Sequence, residues 1–227
     1  MNDTATSKQV KSKARIANFG EVFTAEREVN AMLDLVKFQS EQIASTFLEP
    51  ACGNGNFLAQ ILQRKLATVL SSAQINKSKK SPKYAQGIYE RNAILAISSI
   101  YGLELLQDNC TECRSRLLAI FSEHYAKYFN NTNPVIIEIA TFLLHKNIIN
   151  GDALTLLDKD KQPIVFCEWK FISDTQINRR DYIYRDLVNK VSERELPLFS
   201  DLGEKAYIPT PIKEYAPIHY LNLTQLD

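Results

Sequence analysis

Apolar positions along the chain recur with two different periods, and where the period changes a strand passes into a helix. Thr46 to Leu48 is a short apolar run that predicts a strand, and soon after it Phe57, Leu58, Ile61, Leu62, Lys65 and Leu66 recur at helical spacing. A helical pattern covers Glu28 to Val36, and another runs from Tyr84 to about Ala96. Ile97 to Leu105 predicts a second strand closing on an acid, Glu104, followed by a helical pattern that contains Cys110 and Cys113. Asn133-Pro134 predicts a loop ahead of an apolar element from Val135 to Leu144. Asn147 to Leu154 and Pro163 to Cys167 complete the strand candidates of this part. Further on, Asp181 to Glu193 predicts a helix with Ile183, Leu187, Val188 and Val191 on one face, and Leu196 to Leu223 is proline-punctuated with brief apolar runs such as Ile218 to Leu223.

Between the first strand and its helix lies Glu49-Pro50-Ala51-Cys52-Gly53-Asn54-Gly55-Asn56. Gly53 and Gly55 let the backbone pass close to a ligand, which would sit where the strand ends. This is the layout of a nucleotide-type cofactor site. A phosphate-cradling loop needs a lysine followed by serine or threonine directly after its last glycine, and none follows Gly55. A dinucleotide fingerprint needs a third glycine where this chain has Leu58, a side chain too large for close helix-strand packing.

An acid ahead of Gly-x-Gly remains, and Glu49 to Leu58 resembles the cofactor loop of S-adenosylmethionine-dependent methyltransferases. The likeness is greatest to the adenine-specific DNA methyltransferases of restriction-modification systems. Three further segments resemble that family in the expected order. Gly20-Glu21-Val22-Phe23-Thr24-Ala25 is similar to the segment that closes over the methionine end, with Ala25 where proline is usual. The strand ending at Glu104 implies a carboxylate for both ribose hydroxyls, and a carboxylate suits that role because it offers two acceptor oxygens and no donor. Asn147 to Leu154 is similar to the segment whose aspartate, here Asp152 followed by Ala153, accepts from the adenine amino group. The resemblance implies an α/β, Rossmann-like, doubly wound and mostly parallel sheet with S-adenosylmethionine as cofactor. Its implied cofactor residues are Phe23, Thr24, Glu49, Pro50, Ala51, Cys52, Gly53, Gly55, Asn56, Phe57, Glu104, Asp152 and Ala153. Taken singly, Glu104 also fits a solvated turn or a helix N-terminal charge, and Gly151-Asp152 an ordinary turn.

The catalytic segment departs from the family pattern. Members that methylate an exocyclic amine carry a polar residue, two prolines and an aromatic at the end of the fourth strand, where they hold the amine and stack on a flipped base. This chain has no adjacent prolines. By position Glu168 falls on the amine acceptor and Phe171 on the stacking aromatic, with Trp169 and Lys170 in place of the prolines. Glu168-Trp169-Lys170-Phe171 reads equally as a strand end with two packing aromatics and a solvated ion pair. The expected activity is therefore methyl transfer to adenine in DNA. The alternative is a non-catalytic or split methyltransferase-like module that acts with a partner chain carrying target recognition.

Organisation and charge add smaller points. A basic arm covers residues 1–19, the methyltransferase-like domain residues 20–171 with an inserted segment at about 71–96, and residues 172–227 complete the fold or append to it. That last stretch is short for the remaining strands of a complete methyltransferase sheet, so truncation or divergence is expected there. Net charge is +1, so DNA contact depends on local clusters: Lys8, Lys11, Lys13 and Arg15; Lys77, Lys79, Lys80 and Lys83; or Arg179, Arg180 and Arg185 between Tyr182 and Tyr184. Each cluster also fits an ordinary solvated surface. Four cysteines and no long apolar segment point to a reducing, cytoplasmic setting without a membrane span. Cys110 and Cys113 lack the second pair that a zinc site requires, and the three histidines lie apart, so no metal is expected.

Overall fold

The computed structural model describes residues 11–19, 21–77, 81–188 and 209–226. The chain is α/β. Helices α1 (Lys13–Phe19), α2 (Glu26–Asp34) and α3 (Lys37–Glu41) precede strand β1 (Phe47–Glu49), which leads into the long helix α4 (Asn56–Lys77). Helix α5 (Pro82–Ser98), strand β2 (Ile100–Glu104), helices α6 (Gln107–Tyr128) and α7 (Pro134–Asn147) and strand β3 (Ile148–Asp152) follow. Strands β1, β2 and β3 are parallel neighbours in that order, and the two-residue β4 (Leu157–Asp158) adds antiparallel to β3. A second, antiparallel sheet is built from β5 (Val165–Phe171), β6 (Gln176–Ile183), β7 (Lys213–Glu214) and β8 (Ile218–His219), and a short 3-10 helix covers Tyr220–Gln225.

Local chemistry sets several boundaries. Asn133 is no mere loop residue: its side chain caps α7 by accepting from the Val135 amide at 3.1 Å, and Pro134 fills the first helical position, where its missing N–H costs nothing. Ser81 and Pro82 start α5 in the same way, with a 3.3 Å bond from the Tyr84 amide to Ser81. The inserted segment is thus two helices, since α4 runs through Ser71 to Lys77 and α5 packs along it with Tyr89, Ala93, Ile94 and Ile97 fully buried. The lysines expected at 79 and 80 lie outside the described residues.

The parallel strands have two differently covered faces. Gly102 points at α4, and a Cβ there would lie 2.9 Å from the Cys52 sulfur and 3.0 Å from Leu58. Gly151, of opposite parity, points at the second sheet, where Ile164 would stand 2.9 Å from an added Cβ. Leu103 joins Ile164 and Phe166 in that layer, and the Tyr101 hydroxyl donates to the Cys167 carbonyl at 2.7 Å. Ile177, Tyr220 and Leu223 belong to the same buried cluster as α4 to α7, so residues on both sides of Phe171 share one core.

The region after Pro163 differs most from expectation. Residues 181–183 finish strand β6 instead of starting a helix, only Tyr184 to Val188 is helical, and the rest of the expected helix lies outside the described residues. The apolar positions Ile183, Leu187 and Val188 share a helical face in the sequence, but pairing with β5 over seven consecutive positions outweighs that local preference. Glu168 and Phe171 also lie within β5 and not beyond its end.

A buried lysine fastens the entry to β1. Lys65 is fully buried on α4, and its ammonium donates to the Ile43 carbonyl at 3.1 Å, to the Ser45 carbonyl and to Ser99 Oγ at 2.5 Å. Those acceptors join the segment before β1 to the segment before β2. Burial pulls the Lys65 ammonium down from 10.5 to about 7.

Between pH 7 and 10.5 the unfolded chain holds the Lys65 proton more tightly than the folded one, so stability rises with pH across this window. Replacing Lys65 with Met should remove a slope of up to about 1.4 kcal/mol per pH unit, read from urea titrations at several pH values. A Gly102→Ala substitution should cost about 1 to 3 kcal/mol by overpacking against Cys52 and Leu58. Gly87→Ala, in helix α5 with open space around it, should instead stabilise by about 0.5 to 1 kcal/mol in the same assay.

Candidate cofactor site

The C-terminal ends of β1, β2 and β3 open onto one cavity of about 700 Å³. Glu49 closes β1, Glu104 closes β2 and Asp152 closes β3, so three carboxylates from adjacent parallel strands face a common space. Phe23, Thr24, Pro50, Ala51, Cys52, Gly53, Asn56, Phe57 and Ala153 line it as well. Of the cofactor residues inferred from the sequence, Gly55 alone is not at the wall. It has φ +86°, and an added Cβ would lie 2.7 Å from the Cys113 sulfur, so it turns the loop against α6 beneath the cavity. Gly53, with φ +54°, lies under the Phe23 ring, which would be 3.2 Å from an added Cβ.

Glu104 organises the floor. One carboxylate oxygen accepts from the Gly53 amide at 2.8 Å, and the other accepts from the Leu106 amide at 2.9 Å and from Asn109 Nδ2 at 3.4 Å. An ionised carboxylate has about four acceptor positions, so these bonds still leave capacity for a ligand hydroxyl. Asp152 is held in its own turn, accepting from the Leu154 amide at 2.8 Å and the Thr155 hydroxyl at 3.0 Å, and the Leu154 bond above all holds its carboxyl below the usual range. Glu49 is the least supported, with one 3.4 Å bond from the Ala51 amide, and burial pushes its carboxyl upward. Asn56 is spoken for by the protein, donating to the Thr24 carbonyl at 2.8 Å and accepting from Arg116. It therefore anchors the Phe23-Thr24 segment over the loop.

Several lining residues carry no sequence signal of their own. Glu21 faces the cavity with its side chain only 6% exposed, bound by both nitrogens of the Arg15 fork at 2.6 and 2.8 Å, and this pairing with Arg15 lowers its carboxyl range. Asn109, on the first turn of α6, bonds Glu21 and Glu104 together. Tyr184 enters from the second sheet, edge-on to Phe166 with ring centroids 5.2 Å apart. Glu21 sits inside the Gly20 to Ala25 segment, so its location was legible from the sequence. Asn109 and Tyr184 are brought in only by packing.

The two residues expected to hold the methyl acceptor lie elsewhere. Strand β5 starts beside the cavity, where Ile164 meets Gly151. It then runs toward the opposite end of the strands, where the Trp169 indole donates to Asn147 at 2.9 Å and Asn147 in turn donates to the Ser98 and Ile100 carbonyls. Phe171 ends on the Arg91 guanidinium, 4.7 Å from its ring centroid, and beside Tyr220. Glu168 projects from the outer face of the second sheet near Tyr182 and Arg180. Glu168 and Phe171 therefore face away from the cavity, because β5 is reversed relative to the direction that would carry them to it.

The expected nucleic-acid contacts are also altered. Arg179 is buried with Asp181 at 2.7 Å and lies over Tyr215, and Arg180 pairs with Glu214 at 2.8 Å, so neither is a free phosphate ligand. Cys52, Cys110, Cys113 and Cys167 are all buried thiols in the core. No helix among the described residues is long and apolar enough to cross a membrane. A larger hollow of about 890 Å³ lies between the start of α5 and the end of α6, but it has a single acid, Glu90, already bonded to Gln86 and Tyr125. The cavity at the strand ends, with its convergent acids, is the better candidate for chemistry. No family model, no curated protein and no solved structure matches this chain.

Proposed function

We propose that this chain binds S-adenosylmethionine at the ends of β1, β2 and β3 and acts as the cofactor-holding half of an adenine-specific DNA methyltransferase with a Rossmann-like core. One observation carries the reading: Glu21, Glu49, Glu104 and Asp152 line the cavity, and among the described residues no lysine, arginine or histidine does. Such a wall repels phosphate and attracts a cation, with like or unlike unit charges worth about 4 kcal/mol at 4 Å for an effective dielectric of 20. Nucleotides carrying phosphates are disfavoured, and an adenosyl sulfonium is favoured. Glu104 offers acceptor positions for the ribose hydroxyls and Asp152 for an adenine amine, while the turn at Gly53 brings backbone close to the ligand.

In methyl transfer from such a cofactor, the acceptor nitrogen must be held in line with the sulfonium methyl, which makes positioning the main task of the protein. Among the described residues, no pair of amine acceptor and stacking aromatic reaches the cavity from β5. Among the described residues strand β1 is paired only with β2, and Leu48 on it is 39% exposed. This favours the split form of the activity, in which a strand from elsewhere adds along β1 and presents the target base.

Calorimetry should show S-adenosylmethionine binding more tightly than its neutral thioether product, with ATP and NAD not binding; equal affinity for ATP would remove the electrostatic basis of the reading. Glu49→Gln should weaken binding about tenfold near neutral pH. Because burial raises the Glu49 carboxyl, wild-type affinity should fall as pH drops through a range above the ordinary 4.5, and Glu49→Gln should lose that dependence. Radiolabel transfer to DNA should be absent for the chain alone. Transfer that is present and abolished by Glu168→Ala would restore a single-chain enzyme.

A further inference from the structure

Among the described residues, charged side chains in and just before helix α1 make its side-chain bonds to the body of the protein. From Lys11 to Asn18 every residue is exposed except the half-buried Arg15, and the apolar Ile16 is 38% exposed. Isolated helices shorter than about 12 to 15 residues are marginal in water, so a seven-residue helix depends on what it docks against. Among the described residues, two side chains bond to the body here, Arg15 on the helix and Lys11 two positions ahead of it. Lys11 donates to Asn109 Oδ1 at 2.6 Å and pairs with Glu112 at 2.5 Å and Asp108 at 3.5 Å. Arg15 sends its fork to Glu21 at 2.6 and 2.8 Å and to Asp108 at 2.7 and 3.2 Å.

The receiving groups lead directly into the cavity. Glu21 and Asn109 line it, and Asn109 donates to both Glu21 and Glu104. Detaching α1 would leave Glu21 as a buried carboxylate without its cation, linked through one amide to a second carboxylate. Such an arrangement is costly and would relax. The 3.4 Å bond from Asn109 to Glu104, beside the two backbone bonds that Glu104 accepts, is therefore tied to a cation delivered from outside the α/β core.

We propose that α1 is an electrostatic clasp on the cavity, with Arg15 as its positioning residue: docked, it holds Glu21, Asn109 and Glu104 in their bonded arrangement, and raised ionic strength releases it. The pairs to Asp108 and Glu112 have exposed acids and are screened over about 10 Å at 0.1 M salt and about 3 Å at 1 M, whereas the Arg15 pair with the buried Glu21 is screened less, so salt releases the clasp through its outer pairs first. Docking and occupancy reinforce each other, since a ligand that needs an ordered Glu104 favours the docked state by the same factor that docking favours the ligand. This second part rests on the proposed binding of S-adenosylmethionine.

Hydrogen exchange with mass detection, following α1 and using α4 as internal reference, tests the clasp. Exchange in α1 should quicken about tenfold between about 50 mM and about 1 M salt while α4 stays constant. Arg15→Ala should show the fast rate already at low salt, and Arg15→Lys, which keeps the charge but loses the fork, should fall between. S-adenosylmethionine should slow α1 exchange, and Arg15→Ala should bind it about tenfold more weakly with a flatter salt dependence. Salt-independent exchange of α1 overturns the clasp. Ligand binding unchanged by Arg15→Ala overturns its coupling to the cavity. A wild-type chain that binds no S-adenosylmethionine but keeps a salt-labile α1 removes the cofactor reading and leaves the clasp standing.

Discussion

The bond from the Gly53 amide to the Glu104 carboxylate, at 2.8 Å, is the contact around which the cavity is built. It joins the turn after β1 to the end of β2, elements separated in sequence by two long helices. Gly53 can offer its amide there because its backbone takes a positive φ that a side chain would oppose. At 8% exposure the Glu104 carboxyl is satisfied by two backbone amides and Asn109, which donate to it. The same carboxylate therefore shapes the loop and faces the space where a ligand would lie. A buried acid whose acceptor positions are only partly used suits a binding site better than a purely structural joint.

The direction of β5 is the second constraint. The buried network of Trp169, Asn147, Ser98 and Ile100 fixes the far end of this strand at the entry to β2. With Ile164 against Gly151 at the other end, β5 can only run away from the cavity. Its pairing with β6 over seven positions places it in a separate sheet, and among the described residues β1 has β2 as its one neighbour. An unpaired strand edge in an α/β sheet is a natural place for another segment to pair.

Charge distribution gives the site its character. A formal net charge of +1 over the whole chain conceals a cavity lined by four acids, one of which, Glu21, is paired with Arg15 from outside. Arg15 and Lys11 neutralise the rim without entering the cavity, and Arg116 reaches no further than Asn56. Because the cations approach from behind the carboxylates, the acidic field toward the ligand is reduced but not reversed.

The sequence by itself determined the local units and the glycine loop. Glu49 to Phe57 reads as strand, turn and helix because glycine spacing and helical periodicity are short-range properties, and Glu104 was legible as the acid that ends an apolar strand, whereas Asp152 stood out only through the resemblance of its segment. Tertiary structure alone decided which way β5 runs, since a run such as Val165 to Phe171 has the same period whichever direction it takes, and pairing partners across the chain select one. The same holds for Asp181 to Val188, where cross-strand pairing outweighs helical spacing up to Ile183. Asn109 and Tyr184 reach the cavity, and Asn109 joins Glu21 to Glu104 there, through contacts between residues distant in sequence, and no local pattern encodes such contacts. Periodicity therefore reported what each segment becomes, and packing reported which segments meet.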